Sequence, residues 1–286
     1  MNKKISDLVA EFMEKTARNQ ISIEIKEKPV GDIRTSKLGG NPAVPEGFVW
    51  PRYTGTDDDE EECTDKPLTF LAQIDLSTIA EYDSEGLLPK SGMLSFFYEL
   101  ETMTWGYDPK DKGSARVYYF SDVEGLTEQE CPDDLEQDFI IPECTLTFIK
   151  QKSYCNLIGD LPKECNEEKE IDDDDFEILL EKYSNDGYPM KLLGYPDIIQ
   201  NPMEEECELC SSGYYMGGSY PELSEEESKD VKEKSRDWIL LFQMNSLELE
   251  DYSLDFGDLG SIYFWIRKQD LREKNFDNIW LQLQCY

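Results

Sequence analysis

The residue types that carry most enzyme chemistry are unevenly represented: 63 Asp and Glu, 28 Lys and Arg, eight Cys and no His in 286 residues. Without imidazole there is no Ser-His-Asp triad, no Cys-His dyad and no His-ligated zinc. An enzyme built on this chain would have to use carboxylates, Lys, Tyr, Cys or a borrowed cofactor. No acidic pair falls on a recognisable motif, so the expectation leans away from an enzyme, with no cofactor and no metal. Cys207 and Cys210 form the one C-x-x-C pair, within Glu204-Glu205-Glu206-Cys207-Glu208-Leu209-Cys210. Zinc would need two more ligands at similar spacing, which Cys155 and Cys165 do not supply. The neighbouring carboxylates raise a thiol pKa, so ordinary free thiols are expected.

Two glutamines stand inside otherwise apolar stretches. Gln73 lies in Pro67-Leu68-Thr69-Phe70-Leu71-Ala72-Gln73-Ile74-Asp75, and Gln243 in Trp238-Ile239-Leu240-Leu241-Phe242-Gln243-Met244-Asn245. Each stretch leads through a loop to a strand opening with glycine, at Gly92-Met93-Leu94-Ser95-Phe96-Phe97 and Gly260-Ser261-Ile262-Tyr263-Phe264-Trp265. Two copies of a strand-loop-strand unit predict related halves, over about 20–150 and 185–286, folded about a pseudo-twofold axis. A buried amide must satisfy its donors and its acceptor. The two glutamines either cross-link neighbouring backbone or line a cleft at the join. Around such a cleft the candidate binding residues are Gly39, Gly40, Trp50, Gln73, Tyr195, Gln200 and Gln243.

The elements that must position these residues read as α+β, mostly antiparallel sheet with flanking helices. Ile5, Leu8, Val9, Phe12 and Met13 recur at helical spacing and predict an amphipathic N-terminal helix over 5–18. Further helices are expected near 172–184 and 224–236. Strands are expected at Ile21–Ile25, Arg116–Phe120, Thr145–Ile149 and Ile279–Leu283, in addition to the repeated units. Leu38-Gly39-Gly40-Asn41-Pro42 is a turn-forming loop. Asp57 to Glu62 reads as a solvated loop, while Asp172 to Asp175 and Glu225 to Glu227 read as helix starts. Neither of the first two runs has the spacing of a calcium loop. The whole is expected to be a single domain.

The formal net charge is −35. Such a surface repels nucleic-acid phosphate and anionic lipid, and attracts basic proteins, polyamines or divalent cations. No stretch approaches the roughly 20 apolar residues of a membrane span. The first residues carry no apolar signal region, so a cytoplasmic protein is expected.

The order of these motifs is similar to the YwqG-like family of bacterial cytosolic proteins. The residues that carry the resemblance are Leu38 to Pro42, Trp50-Pro51, Phe70 to Asp75, Gly92 to Phe97, Leu192-Leu193-Gly194-Tyr195-Pro196-Asp197-Ile198-Ile199-Gln200, Trp238 to Asn245, and Asp258 to Phe264. The likeness runs from about residue 20 to the C-terminus. It brings no catalytic residue with it. Some members are encoded near polymorphic toxin systems, which implies an immunity-type role. The expected function is therefore an acidic protein-binding module, of which an immunity-type inhibitor of a basic toxin is one form, since negative charge speeds association with a basic target. The alternative is a small-molecule or carbohydrate-binding protein with a cleft between the halves.

Overall fold

The computed structural model describes residues 5–28, 31–56, 62–156, 173–184 and 187–286. Helix α1 (Ile5–Thr16) buries Val9 and Met13 completely. It ends two residues before the expected boundary. Thr16 Oγ1 bonds back to Phe12 O at 2.9 Å, and Arg18 already opens strand β1 (Arg18–Lys26).

Strands β2 (Lys37–Leu38), β6 (Thr69–Asp75), β7 (Met93–Tyr98), β8 (Ala115–Phe120) and β10 (Cys144–Ser153) lie on one side of the chain's main sheet. With β1 come β11 (Met190–Leu193), β12 (Trp238–Asn245), β15 (Ser261–Arg267) and β16 (Trp280–Gln284). These make one ten-stranded antiparallel sheet in the order β16-β15-β12-β11-β1-β10-β2-β6-β7-β8. Its centre is the long β1–β10 pairing, running from Arg18 opposite Ser153 to Lys26 opposite Thr145. The small pairs are β3 (Ala43–Pro45) with β9 (Leu126–Glu128), β4 (Arg52–Thr56) with β5 (Glu62–Pro67), and β13 (Leu247–Leu249) with β14 (Tyr252–Leu254).

The right-handed twist of so wide a sheet brings its two ends together. Phe96 of β7 stacks on Phe242 of β12 with centroids 4.4 Å apart, and meets Phe264 of β15 edge-on at 5.4 Å. At the rim, Leu283 of β16 donates its N–H to Trp105 O at 3.0 Å, and Trp280 Nε1 donates to Gly106 O at 2.8 Å. The sheet is thus nearly closed into a barrel around one apolar core.

Strand and turn positions on the two sides of β1–β10 correspond. Lys37 lies opposite Gln73 on one side, and Lys191 opposite Gln243 on the other. A register irregularity falls at Leu71 in β6 and at Leu241 in β12. Beyond β2 the chain turns through two left-handed residues, Gly39 and Gly40 at φ 57° and 68°. Beyond the first three residues of β11 it does the same through Leu193 and Gly194, at φ 60° and 80°. Pro42 and Pro196 follow two residues later.

Helices cover the outside: α2 (Leu76–Ile79), α3 (Asp173–Tyr183), α4 (Glu204–Ser211), α5 (Glu225–Lys234) and α6 (Lys268–Glu273). Both expected later helices form, as α3 and α5. A capping box between Ser224 and Glu227 starts α5. Residues 57–61 and 172, at the head of two acidic runs, lie outside the described residues. No helix among the described residues is long and apolar enough to cross a membrane.

Candidate functional site

Gln73 is completely buried on the outer face of the sheet. Its Oε1 accepts the Ala43 N–H at 2.9 Å, and its Nε2 donates to Ile33 O at 2.6 Å and Thr35 O at 3.0 Å. Gln243 does the same work in its own loop. Its Oε1 accepts the Asp197 N–H at 3.0 Å, and its Nε2 donates to Asp197 Oδ2 at 3.0 Å and Asn245 Oδ1 at 2.8 Å. In each case the amide holds the residue that follows a proline. The two glutamines are five strand steps apart, roughly 24 Å along the sheet at about 4.8 Å per step. They do not face one another.

The lysines opposite them are also buried. Lys37 Nζ bonds Glu143 Oε2 at 2.8 Å, and Lys191 Nζ pairs with Asp197 Oδ1 at 2.7 Å. Burial pushes the Lys191 ammonium below the ordinary lysine range, and Asp197 opposes that shift.

Gly39 and Gly40 bind backbone, donating their N–H groups to Leu71 O and Ile141 O, each at 2.8 Å. Trp50 is buried, with Nε1 donating to Leu68 O and its ring edge-on to Phe97. Tyr195 donates its hydroxyl to Thr16 O at 2.9 Å, and the Arg18 guanidinium lies 3.9 Å over its ring. Gln200 leads outward. Its Nε2 donates to Cys285 O at 2.8 Å, and its Oε1 accepts the Tyr107 hydroxyl at 3.5 Å.

That last contact opens onto a surface of exposed aromatic and apolar residues. Trp105 and Tyr107 stack at 6.4 Å on the loop between β7 and β8. Tyr107 O accepts the Met216 N–H at 2.7 Å, which docks the segment bearing Tyr214 and Tyr215. On the other side of Gln200, Tyr286 donates its N–H to Asp258 O at 3.0 Å, next to Leu259. Tyr215, Leu259 and Tyr286 are 59%, 69% and 80% exposed. Leu259 is held at φ 50°, in the left-handed region that disfavours a branched side chain by about 1 kcal/mol. Strain at an exposed apolar residue is a pointer to function.

The first turn of α4 supplies carboxylates to this region. The helix is anchored from below: Cys207 and Cys210 pack with Met203, Trp238, Trp265 and Trp280. Buried Glu208 accepts from Trp238 Nε1 at 3.0 Å and from Arg267 Nη2 at 2.7 Å. With the inner face so fixed, Glu204, Glu205 and Glu206 stand at the start of the helix.

A model of the family described as a domain of unknown function, DUF1963, matches residues 36–285. The chain belongs to the DUF1963 family. The match takes in both Lys–Gln pairs, α4 and all the exposed aromatic residues named above except Tyr286. No curated protein matches the chain.

In this DUF1963 chain the C-x-x-C thiols are unbridged and buried. Burial pushes the Cys207 thiol well above the ordinary range and that of Cys210 up to about 12. Among the described residues no group of three or more Cys, Asp or Glu could hold a metal ion. Burial also pushes Glu206 up to about 7, and its Oε2 has no hydrogen-bond partner. Asp111 rises for the same reason, partly offset by the backbone N–H groups that its side chain accepts.

Trp105, Tyr107, Tyr214, Tyr215 and Leu259 are absent from the residues singled out by sequence. The available signal was the interleaving of aromatics with glycine, in Trp105-Gly106-Tyr107 and Gly213-Tyr214-Tyr215-Met216-Gly217-Gly218, without strand or helix period.

Proposed function

We propose that this DUF1963 protein is a cytoplasmic protein-binding module whose partner presents a Lys/Arg-rich segment. The observation that carries the reading is the group of exposed Trp105, Tyr215, Leu259 and Tyr286, linked through half-buried Tyr107 and through Gln200, with Asp108, Asp258 and the first turn of α4 nearby. Tyr and Trp supply rigid anchors and cation-binding faces. A net charge of −35 steers a basic partner toward them. A cleft lined by glutamines finds less support, because the amides of Gln73 and Gln243 are spent on loop backbone and neighbouring side chains.

The module is further proposed to be an internal duplication about the β1–β10 pairing. The paired Lys–Gln positions, the matched register irregularities and the matched left-handed turns support it. Inhibition of a basic toxin is the finer form of this reading, and rests on the resemblance described above.

The test is affinity purification of the tagged protein from its own cell, followed by titration of the recovered partner. The reading expects a stoichiometric basic protein whose affinity falls with salt. It also expects at least a tenfold loss in the double variant Trp105→Ala, Tyr215→Ala. A partner of neutral or acidic character, a partner indifferent to that variant, or no partner at all would overturn it.

A further inference from the structure

Between α4, α6 and the start of β12 lies a cavity of about 730 Å³, within the range of small-molecule sites. Three cations line it from three different elements: Arg18 at the start of β1, Arg236 before β12, and Lys268 at the start of α6. In a chain with 63 acidic side chains, none of the three makes an ion pair among the described residues. Arg18 lies over the Tyr195 ring, and Lys268 Nζ donates to the Arg236 carbonyl at 2.8 Å.

Glu204, Glu205 and Glu206 line the same cavity from α4. Glu205 accepts the Tyr220 hydroxyl at 3.3 Å, and the buried Oε2 of Glu206 has no donor. Both signs of charge therefore reach one space without neutralising each other directly. A dianion entering it would meet three carboxylates, and a polyamine would meet three cations. A molecule with one charge of each sign satisfies both walls.

A second chamber of about 290 Å³ shares Arg18, Pro202 and Glu204 with the first. Phe12, Tyr195 and Ile198 give it apolar walls. It is of a size and character to take one apolar side chain.

We propose that this pair of chambers binds a short peptide with free termini and an apolar side chain. Its carboxylate is taken by Arg236 with Arg18 and Lys268, its ammonium by Glu204 and Glu205, and its side chain enters the smaller chamber. Arg is suited to the carboxylate because its planar fork can bond both oxygens at once. The site shares the first turn of α4 with the proposed protein-binding surface but not Trp105 or Tyr215, so the Trp105→Ala, Tyr215→Ala variant tests that surface while Arg236→Gln tests this site.

The test is calorimetric titration of the full chain with the dipeptide Ala-Phe, its N-acetylated form and its C-terminal amide. Ala-Phe is expected to bind, and capping either end to weaken it at least tenfold, which is about 1.4 kcal/mol. Arg236→Gln and Glu204→Gln are expected to weaken Ala-Phe by a similar factor without lowering the melting temperature. Equal binding of the acetylated form would make this a plain anion site, and equal binding of the amide a plain cation site. Either result overturns the proposal, as does the absence of binding by Ala-Phe or full binding by Arg236→Gln.

Discussion

Gln73→Met distinguishes a glutamine that holds the fold from one that waits for a ligand. Methionine is unbranched and of similar length, so shape is nearly kept while all polar function is lost. Three hydrogen bonds disappear: Ala43 N–H to Oε1, and Nε2 to the carbonyls of Ile33 and Thr35. At about 1 kcal/mol net for each, the loss is about 3 kcal/mol. Leaving the N–H of fully buried Ala43 without an acceptor adds roughly 1 to 2 kcal/mol, and the apolar gain of methionine returns about 1. The expected cost is about 3 to 4 kcal/mol, read as a lower urea midpoint at unchanged slope. In a thermal melt it corresponds to about 10 °C. Gln243→Met is expected to cost a similar amount, since it too gives up three bonds. A ligand-binding glutamine behaves in the opposite way, because its replacement leaves stability unchanged or raised. Either variant within 1 kcal/mol of the parent would refute the argument that these amides are loop cross-links.

Four further substitutions probe other parts of the same reasoning. Gly39→Ala places a Cβ 2.2 Å from Ile141 O at φ 57°, whereas Gly47→Ala, at φ 78°, meets nothing within 4 Å. Thermal melts should show only the left-handed penalty of about 1 kcal/mol for the second, and clearly more for the first. Glu208→Ala leaves Trp238 Nε1 without its acceptor and Arg267 without its carboxylate, with Ser211 Oγ still accepting from Arg267, and is expected to cost about 2 to 3 kcal/mol by urea titration. Glu206 is held up at about 7 against an ordinary 4.5, so the folded state keeps a proton that the unfolded chain releases as pH rises between these values. Stability is therefore lost over that window, and Glu206→Gln should gain about 1 kcal/mol over the parent at pH 8 relative to pH 4, after allowance for partial exposure.

Much of the sheet was readable from local pattern. Phe70 to Ile74 and Leu240 to Met244 are short apolar runs carrying one Gln and followed by Asp75 or Asn245, and both prove to be inner strands with a glycine-led neighbour. The N-terminal helix and the helix begun by Ser224 were marked by spacing and by a capping box. The central strands were expected at Ile21–Ile25 and Thr145–Ile149, but neither their pairing nor the short strand β2 beside them was visible. Lys37–Leu38 is two residues long, too short for any period, and the central pairing joins residues more than 100 positions apart. Such non-local register is set by the core, not by propensity. The site was harder still. Trp50 and Trp105 look alike in sequence, yet the first is buried under the β4–β5 pair and the second lies at the surface.

The two sides of the sheet differ in what covers their outer faces, and the proposed binding belongs to one of those covers. Over β6 and β7 the outer face is closed by an apolar cap of Trp50, Tyr53 and Leu68 packed on Phe70 and Phe97. Over β12 and β15 the corresponding face, Leu240, Tyr263 and Trp265, is closed by α4 through Met203, Cys207 and Cys210. The Lys–Gln pairs beneath are alike, so they serve the scaffold on both sides and confer no difference between them. What differs is the cover. A helix with three carboxylates in its first turn lies on one side, joined through Gln200 and Tyr107 to the exposed aromatics. Under the proposed duplication, a function acquired by one copy and not the other must reside in that cover. Substitutions in α4 and its aromatic border should therefore alter binding at little cost to folding, and substitutions at the paired glutamines should do the reverse.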